Sequence, residues 1–495
     1  MTDLDHLSTD PFDDDKLHEE CGVYGTYGHA EAAAHAALGL HALQHRGQEA
    51  CGIVSYDDEG QQFHSHKGMG LVGDNFSDGE LMDQLKGNSA IGHVRYATTG
   101  GTVLRNVQPL FAEFEFGGLA IAHNGNLTNT QSVRRSLVRR GCIFQSDMDT
   151  EIIIHLVAIS LYATVEDRLI DALRQIEGAY SLVAMTKDAI IGVRDPNGVR
   201  PLALGKLGDT YILASESCAF DITGAEFVRD VEAGEIIIID KDGVRSIKPF
   251  GNNPGRFCVF EYIYFARPDS IIENRSVYEV RKAIGAELAR ENGVDADMIV
   301  PVPDSGVPSA IGYAAESKIA FELGIIRNHY VGRTFIEPTQ DIRNLGVRLK
   351  HNANIQSVKG KRIILVDDSI VRGTTSKKIV DMMRQAGAKE VHMRIASPPT
   401  SWPCFYGINT PKRDKLLAAE KTIEEMAKLI GADSLDFITI DGMYRAVGEA
   451  KRDNATPQFC DACFTGEYPT RLRDNDEEEA DERQPSLPLL AERGK

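Results

Sequence analysis

No apolar run in these 495 residues approaches the roughly 18 needed to cross a bilayer. The first twenty residues hold neither an apolar stretch nor an excess of arginine, which excludes a secretory signal or a mitochondrial-type leader. Cytoplasmic residence is the expectation. Basic excess is missing as well. The formal net charge is −19, whereas nonspecific nucleic-acid binding needs clustered Lys and Arg to displace counterions. Eight cysteines are too few for a disulfide framework in a chain of this length, so metal binding or catalysis is the question they raise. There is no GxxxxGK[ST] and hence no P-loop, and no internal repeat. "GMGLVG" (68–73) fits GxGxxG, but the turn-rich "DNFSDGE" follows where a helix would have to open, so it is not read as a dinucleotide site.

What is present is an ordinary globular composition, 42% hydrophobic and 26% charged, with length for two or three domains. Charge runs at both ends, "DPFDDDK" and "RDNDEEEADER", read as solvated and disordered. From Cys21 to about Lys248, short strands ("AIGHVRYAT", "LAIAHNG", "YSLVAMTKDAIIGVRD", "TYILASES", "GEIIIID") outnumber helices ("AEAAAHAALGLHALQHRG", "SVRRSLVRRG", "DTEIIIHLVAISLYA"). That rhythm predicts a mixed or antiparallel sheet with helices on its faces. "KPFGNNPGRF" reads as the passage between domains. Beyond it, strands "DMIVPVPD", "RIILVDDS" and "EVHMRIASPP" alternate with helices "SVYEVRKAIGAELARENG", "SAIGYAAESKIAFELG" and "TSKKIVDMMRQAG". Alternation of this kind predicts a parallel α/β domain whose ligands bind beyond the carboxyl ends of the strands.

In the second region, "RIILVDDSIVRGTTSKK" delivers Asp367 and Asp368 to the end of an apolar strand. A turn through Ser369, Arg372 and Gly373 follows, and Thr374, Thr375 and Ser376 open a helix. Backbone N–H groups at such a turn form an anion site, and adjacent carboxylates suit a polyhydroxylated sugar or hydrated Mg2+. A strand-end turn with N-cap residues is the plainer reading, but it leaves the paired acids unexplained. Among the cysteines, "CDAC" supplies Cys460 and Cys463, while Cys258 and Cys404 stand in aromatic, apolar settings. Four thiolates can bind Zn2+ or a [4Fe–4S] cluster, and their spacing does not choose. Cys51, Cys142 and Cys218 read as small buried hydrophobes.

In the first region, "DKLHEECGVYG" ends an acidic lead at Cys21. A thiolate attacking an amide needs a base, an oxyanion hole and a grip on the substrate. "AHNGNLTN" offers the hole, from the Asn124 amide and the Gly125 N–H. Arg95 in "GHVRYATTG" suits a substrate α-carboxylate and Asp149 in "SDMDTE" an α-ammonium. Each has a structural alternative, a hairpin turn or a surface ion pair. No papain-type Cys–His motif supplies the base, but an α-amino group on Cys21 itself would.

The motifs "CGVYG", "LQHRGQEACGI", "GHVRYATTG", "AHNGNLTN" and "SDMDTE" together resemble the class II glutamine amidotransferases, which are N-terminal-nucleophile hydrolases with an αββα sandwich. The stretch from Arg362 to Lys378 resembles the phosphoribosyl-pyrophosphate (PRPP) loop of the type I phosphoribosyltransferases, a parallel-sheet α/β family. "PVPDSGVPSA" is similar to that family's pyrophosphate loop, and "YVGRTFIEPTQDIRNLGVRLKHN" to the loop that folds over PRPP. The resemblance implies Cys21 as nucleophile, Asn124 and Gly125 as oxyanion hole, and Arg95 and Asp149 on the glutamine backbone, with Arg46 organising the site. It implies that Ser305, Asp367 and Asp368 line a Mg2+–PRPP site, one Mg2+ per subunit. The 5-phosphate would lie in the loop from Ser369 to Ser376, with Arg333, Arg348 and Lys350 as further phosphate contacts.

The implied layout is a propeptide at 1–20, a glutaminase domain at 21–250, a transferase domain at 258–469 and an acidic, disordered tail at 470–495. A family joining these two domains converts glutamine, PRPP and water to 5-phosphoribosylamine, glutamate and pyrophosphate, the first committed step of purine synthesis. One branch carries a propeptide and a [4Fe–4S] cluster, which would place Cys258, Cys404, Cys460 and Cys463 on iron in a structural or oxygen-sensing role. It also implies a homotetramer, feedback by purine nucleotides, and neither nucleic-acid nor membrane partners. Two alternatives stay open here. One is a class II amidotransferase with another synthase, against which "ILVDDSIVRGTTS" speaks. The other is a noncatalytic PRPP-sensing regulator, against which the intact Cys21, Arg95, Asn124 and Asp149 set speaks.

Overall fold

The protein is described from a computed structural model, covering residues 18–19, 21–96, 103–251, 253–328 and 351–474. Two antiparallel sheets stack in the first half. One has seven strands in the order Glu226–Asp230, Ala203–Leu207, Thr210–Ala214, Cys21–Tyr27, Ser89–Arg95, Ala50–Asp57 and Gln62–Met69. The other has six, in the order Gly243–Ile247, Ile236–Asp240, Ala189–Arg194, Gly178–Met185, Gly117–Leu127 and Leu110–Phe114. Alternation along each strand sorts its side chains between two faces. Val23, Ile91, Ala120, Ala122 and Val183 meet between the sheets. Tyr24, Ala90 and Val94 turn outward onto helix Ala32–Ala42. Leu119, Ile121 and Leu182 turn outward onto helices Thr150–Ile159 and Val165–Leu173. The result is the expected αββα sandwich.

"YSLVAMTKDAIIGVRD" is two strands joined by a tight turn, Gly178–Met185 and Ala189–Arg194. "GMGLVG" ends an antiparallel edge strand and enters only a four-residue helix, Val72–Asn75, so no pyrophosphate-binding unit forms.

The second half holds a four-stranded parallel sheet, Met298–Pro301, Arg362–Asp367, Glu390–Ile395 and Ser434–Phe437. Helices Val307–Ser317, Thr374–Gln385 and Ile423–Ile430 lie in the crossovers, and helix Val277–Glu291 precedes the first strand. The helix read across 309–324 stops at Ser317, because Lys318 enters the left-handed region and the chain returns to the sheet edge. There Ile299 donates to the Ala320 carbonyl and accepts from the Glu322 N–H. Among the described residues no helix is long and apolar enough to cross a membrane.

The run "DPFDDDK" lies outside the described residues, and the C-terminal run is described only as far as Asp474. His18–Glu19 pairs antiparallel with Ile408–Asn409 of the second half. The tail expected from 470 is docked through Asp474, whose carboxylate accepts the N–H groups of Gln131 (2.6 Å) and Ser132 (3.1 Å) at the start of helix Thr130–Arg139. Arg473 pairs with Glu177 at 2.7 Å. An anion at a helix N-terminus is favourably placed, which is what the first tail carboxylate supplies.

Candidate active sites

Cys21 opens its strand and lies opposite Arg95 in register. It shares parity with Val23, and Arg95 with Ile91, so both side chains face the space between the sheets. Both are buried. From the facing sheet, Asn124 shares parity with Ala120 and Ala122 and points into the same layer. Its side chain is buried, and neither amide atom has a hydrogen-bond partner. A primary amide in that state is available to a ligand. Gly125 follows at φ +140°, and a Cβ there would sit 2.1 Å from the Ala179 carbonyl oxygen, so only glycine fits.

A small pocket is lined by Cys21, Arg95, Gln108, His123, Gly125 and Asp149, among others. Asp149 immediately precedes helix Thr150–Ile159. Its Oδ2 accepts the Leu127 N–H at 3.0 Å and its Oδ1 the Thr150 hydroxyl at 3.2 Å. Burial works to raise this carboxyl, yet His123 and those donors hold it below the usual aspartate range, so it stays an anion. The pocket thus offers a cation and an anion about a buried thiol, the complement of an α-amino acid.

Arg46 is not among the lining side chains. It lies fully buried, donating from Nε to the Cys21 carbonyl at 3.1 Å and pairing with Glu216 and, at 2.9 Å, Glu261. Arg200 joins the same Glu261 at 3.0 Å and donates to the Tyr406 carbonyl at 2.8 Å. This ion cluster ties Cys21 to Glu261–Phe265, a five-residue π-helical turn at the start of the second half. Sequence reading missed Glu216, Glu261 and Arg200. Their partners are distant in the chain, and buried acids paired to arginines carry no local signal.

At the second site, Asp367 ends the strand Arg362–Asp367, and both acids are buried. The Asp368 N–H donates to Asp367 Oδ1 at 2.9 Å. Ser305 donates to Asp368 Oδ1 at 2.5 Å, and Ser369 to Oδ2 at 2.7 Å. The structure therefore brings the "PVPDSG" loop onto the paired acids. Gly373 leads into helix Thr374–Gln385, where Thr375 and Ser376 are buried and Arg372 and Thr374 are exposed. Arg333, Arg348 and Lys350 lie outside the described residues.

The four cysteines expected on a cluster come from three distant segments. Cys258 and Cys460 are register partners in a short parallel pair. The Cys463 carbonyl accepts from the N–H groups of Ser401 and Trp402, and the Tyr406 N–H points at Cys404 Sγ at 3.3 Å. Burial pushes the Cys463 thiol up, and the nearby Cys258, Cys404 and Cys460 push it further. Cys460 is pushed up to about 12 by burial, with Cys404 adding to it. The thiols thus feel one another inside a core that also takes Ala179 and Val199 from the first half. Among the described residues, however, no group of three or more His, Cys, Asp or Glu side chains is arranged to hold a metal ion, so neither metal expectation has a preformed cage. Such an arrangement fits Mg2+, which takes one or two carboxylates and its remaining ligands from phosphates and water. The buried, mutually sensed thiols fit a sulfur-bridged cluster by donor chemistry.

Residues 93–221 match the glutamine amidotransferase domain family and residues 270–396 the phosphoribosyl transferase domain family. The chain is 58% identical over 491 residues to the amidophosphoribosyltransferase of Rhizobium etli, covering 98% of each chain. It is 49% identical to that of Bacillus subtilis, over 92% of this chain and 95% of the relative. The solved B. subtilis glutamine PRPP amidotransferase complexed with ADP and GMP superposes with a TM-score of 0.86 at 48% identity, over 91% of this chain and 98% of that one.

Proposed function

The chain belongs to the amidophosphoribosyltransferase family, enzymes of the first step of purine biosynthesis that make 5-phosphoribosylamine, glutamate and pyrophosphate from glutamine, PRPP and water, and from that premise we propose how its own residues divide the work. Cys21 attacks the glutamine carboxamide and takes up the acyl group as a thioester. Its own α-amine, freed by removal of residues 1–20, accepts the thiol proton and passes it to the departing ammonia. The Asn124 amide and Gly125 N–H receive the developing oxyanion. Arg95 holds the α-carboxylate and Asp149 the α-ammonium, while Arg46 fixes the Cys21 carbonyl. Water then attacks the thioester and releases glutamate. The observation that supports this reading is the convergence, from opposite sheets, of Cys21, Arg95, Gly125 and Asp149 on one pocket, with the buried, partnerless Asn124 amide adjoining Gly125 in the chain.

Ammonia released there displaces pyrophosphate from C1 of PRPP in the second domain. Asp367 and Asp368 take the ribose hydroxyls, and the turn from Ser369 through Arg372, Gly373, Thr374, Thr375 and Ser376 takes the 5-phosphate. Ser305, Asp367 and Asp368 would hold Mg2+, which supplies charge neutralisation at the pyrophosphate. Arg333 and Lys350 complete the phosphate contacts. The domain limits follow as 21–250 and 258–469, after a propeptide at 1–20 and before an acidic tail at 470–495. Cys258, Cys404, Cys460 and Cys463 would carry a [4Fe–4S] cluster, which supplies a structural bridge between distant segments. The enzyme is read as a cytoplasmic homotetramer inhibited by purine nucleotides. For the last point the support is the B. subtilis relative solved with ADP and GMP.

Intact mass and N-terminal sequencing of active enzyme test the first point: a terminus at Cys21 is expected, and active protein still beginning at Met1 overturns it. Cys21→Ala should abolish glutamine-dependent synthesis and keep ammonia-dependent synthesis, whereas Asp368→Asn should cripple both. Loss of both activities in Cys21→Ala would refute the division of labour. Iron and sulfide analysis of anaerobically purified protein decides the cluster, since stoichiometric zinc without sulfide would sink it.

A further inference from the structure

An α-ammonium brings three N–H donors, and much of the capacity of Asp149 is already engaged by the Leu127 N–H and the Thr150 hydroxyl. His123 stands beside it. Its Nδ1 is 3.1 Å from Thr150 Oγ1 and 3.5 Å from Asp149 Oδ1. The residue is 2% exposed and lines the pocket. Its Nε2 has no hydrogen-bond partner and lies 3.0 Å from where a Cβ on Gly125 would be. The main chain carrying the ring is anchored, because the His123 N–H donates to Gln108 Oε1 at 2.8 Å and its carbonyl accepts from His93 Nε2 at 3.1 Å. Since Thr150 gives its hydroxyl proton to Asp149, its oxygen accepts from Nδ1–H. This relay puts the imidazole proton on Nδ1 and leaves Nε2 a bare acceptor. A buried acceptor with nothing to accept from is destabilising until a ligand donor meets it.

We propose that His123 completes the α-ammonium site, Nε2 accepting one ammonium N–H while Nδ1 props Asp149, and thereby selects glutamine over amides that lack the α-amino group. The proposal rests on reading the Cys21 pocket as the glutaminase site. A site built to hydrogen-bond an N–H group rejects the analogue without it, because its polar atoms are then left unpaired.

The test compares kcat/KM for glutamine and for glutaramate, which keeps the carboxylate and carboxamide but has no α-amino group. Wild type, His123→Phe and His123→Asn are assayed for glutaminase activity with PRPP present. Ammonia-dependent synthesis and thermal unfolding report that each variant is folded. In His123→Phe the preference for glutamine should fall about tenfold or more, through a raised KM for glutamine, with glutaramate little changed. His123→Asn, which retains an acceptor, should recover part of it. Parallel losses on both substrates, or an unchanged ratio in whichever variants fold, overturn the proposal. Covalent labelling of wild-type Cys21 by a diazoketone analogue of glutamine, read by mass, separates the two levels. An unlabelled Cys21 defeats the pocket reading itself, whereas a labelled Cys21 with an unchanged ratio defeats only the role of His123.

Discussion

Asn124 and His123 are sequence neighbours that face opposite sides of one sheet, and the tasks proposed for them differ accordingly. Asn124 looks into the layer between the sheets, where Cys21 and Val23 also point. Removing one oxyanion-hole donor costs about 10²–10³ in kcat, so Asn124→Ala should slow the glutaminase by that factor. KM for glutamine should stay within a few-fold and ammonia-dependent synthesis should persist. A variant that instead loses affinity with kcat intact would place Asn124 in ground-state binding.

At the scale of elements, a buried charge cluster ties the first half to the π-helical turn of the second. Glu216 accepts from Arg46, from His45 at 2.7 Å and from Ser270 at 2.6 Å. Burial opposes its ionisation, but His45 and Arg46 hold it far below the usual glutamate range. Its stabilising contribution is therefore present above the unfolded value near 4.3 and lost as pH falls through the folded one. Removing one partner of a buried ion cluster typically costs about 3–5 kcal/mol. Glu261→Ala, which strips the π-helical turn from Arg46 and Arg200, should lower stability by that amount in denaturant unfolding.

Asp230, at the end of strand Glu226–Asp230, behaves oppositely. Burial, and then the nearby Glu273, push it up to about 6. A raised carboxyl makes the folded state bind more protons than the unfolded one, so stability declines as pH rises from about 4 to 6. Asp230→Asn should raise stability by about 1–3 kcal/mol at pH 7.5, at about 1.4 kcal/mol per pH unit. The gain should vanish near pH 4, measured as melting temperature against pH.

Across the whole molecule the two halves touch directly at strand Gly117–Leu127. The Asn126 side chain donates to the Phe405 carbonyl at 3.0 Å. A Cβ on Gly407 would stand 3.0 Å from the Gly125 Cα and 3.1 Å from an Arg200 nitrogen. Gly407 also sits at φ +108°, where a side chain is strained. Gly407→Ala should therefore push the strand carrying Asn124 and Gly125, and a displacement near 1 Å at a catalytic group costs on the order of 10²-fold. Steady-state glutaminase assays should show that loss, while ammonia-dependent synthesis changes much less. An unaffected glutaminase would mean the seam between the halves is compliant.

The sequence by itself determined the motifs whose chemistry is local. Asp367, Asp368 and the turn to Ser376 are contiguous, so a strand end and a helix start suffice to place them. Cys21, Arg95, Asn124 and Asp149 were legible as residue types, but the stacking of two sheets decided that Cys21, Arg95 and Asp149 share one pocket, because alternation sorts side chains and only stacking says what they meet. The extent of helix Val307–Ser317 was decided by tertiary structure too, since apolar spacing ran on through "IAFELG" while the edge at Ile299 needed a partner. The same holds for the Arg46, Glu216, Glu261 and Arg200 cluster. Charges lying up to 215 residues apart can be buried only when the fold brings each one its opposite.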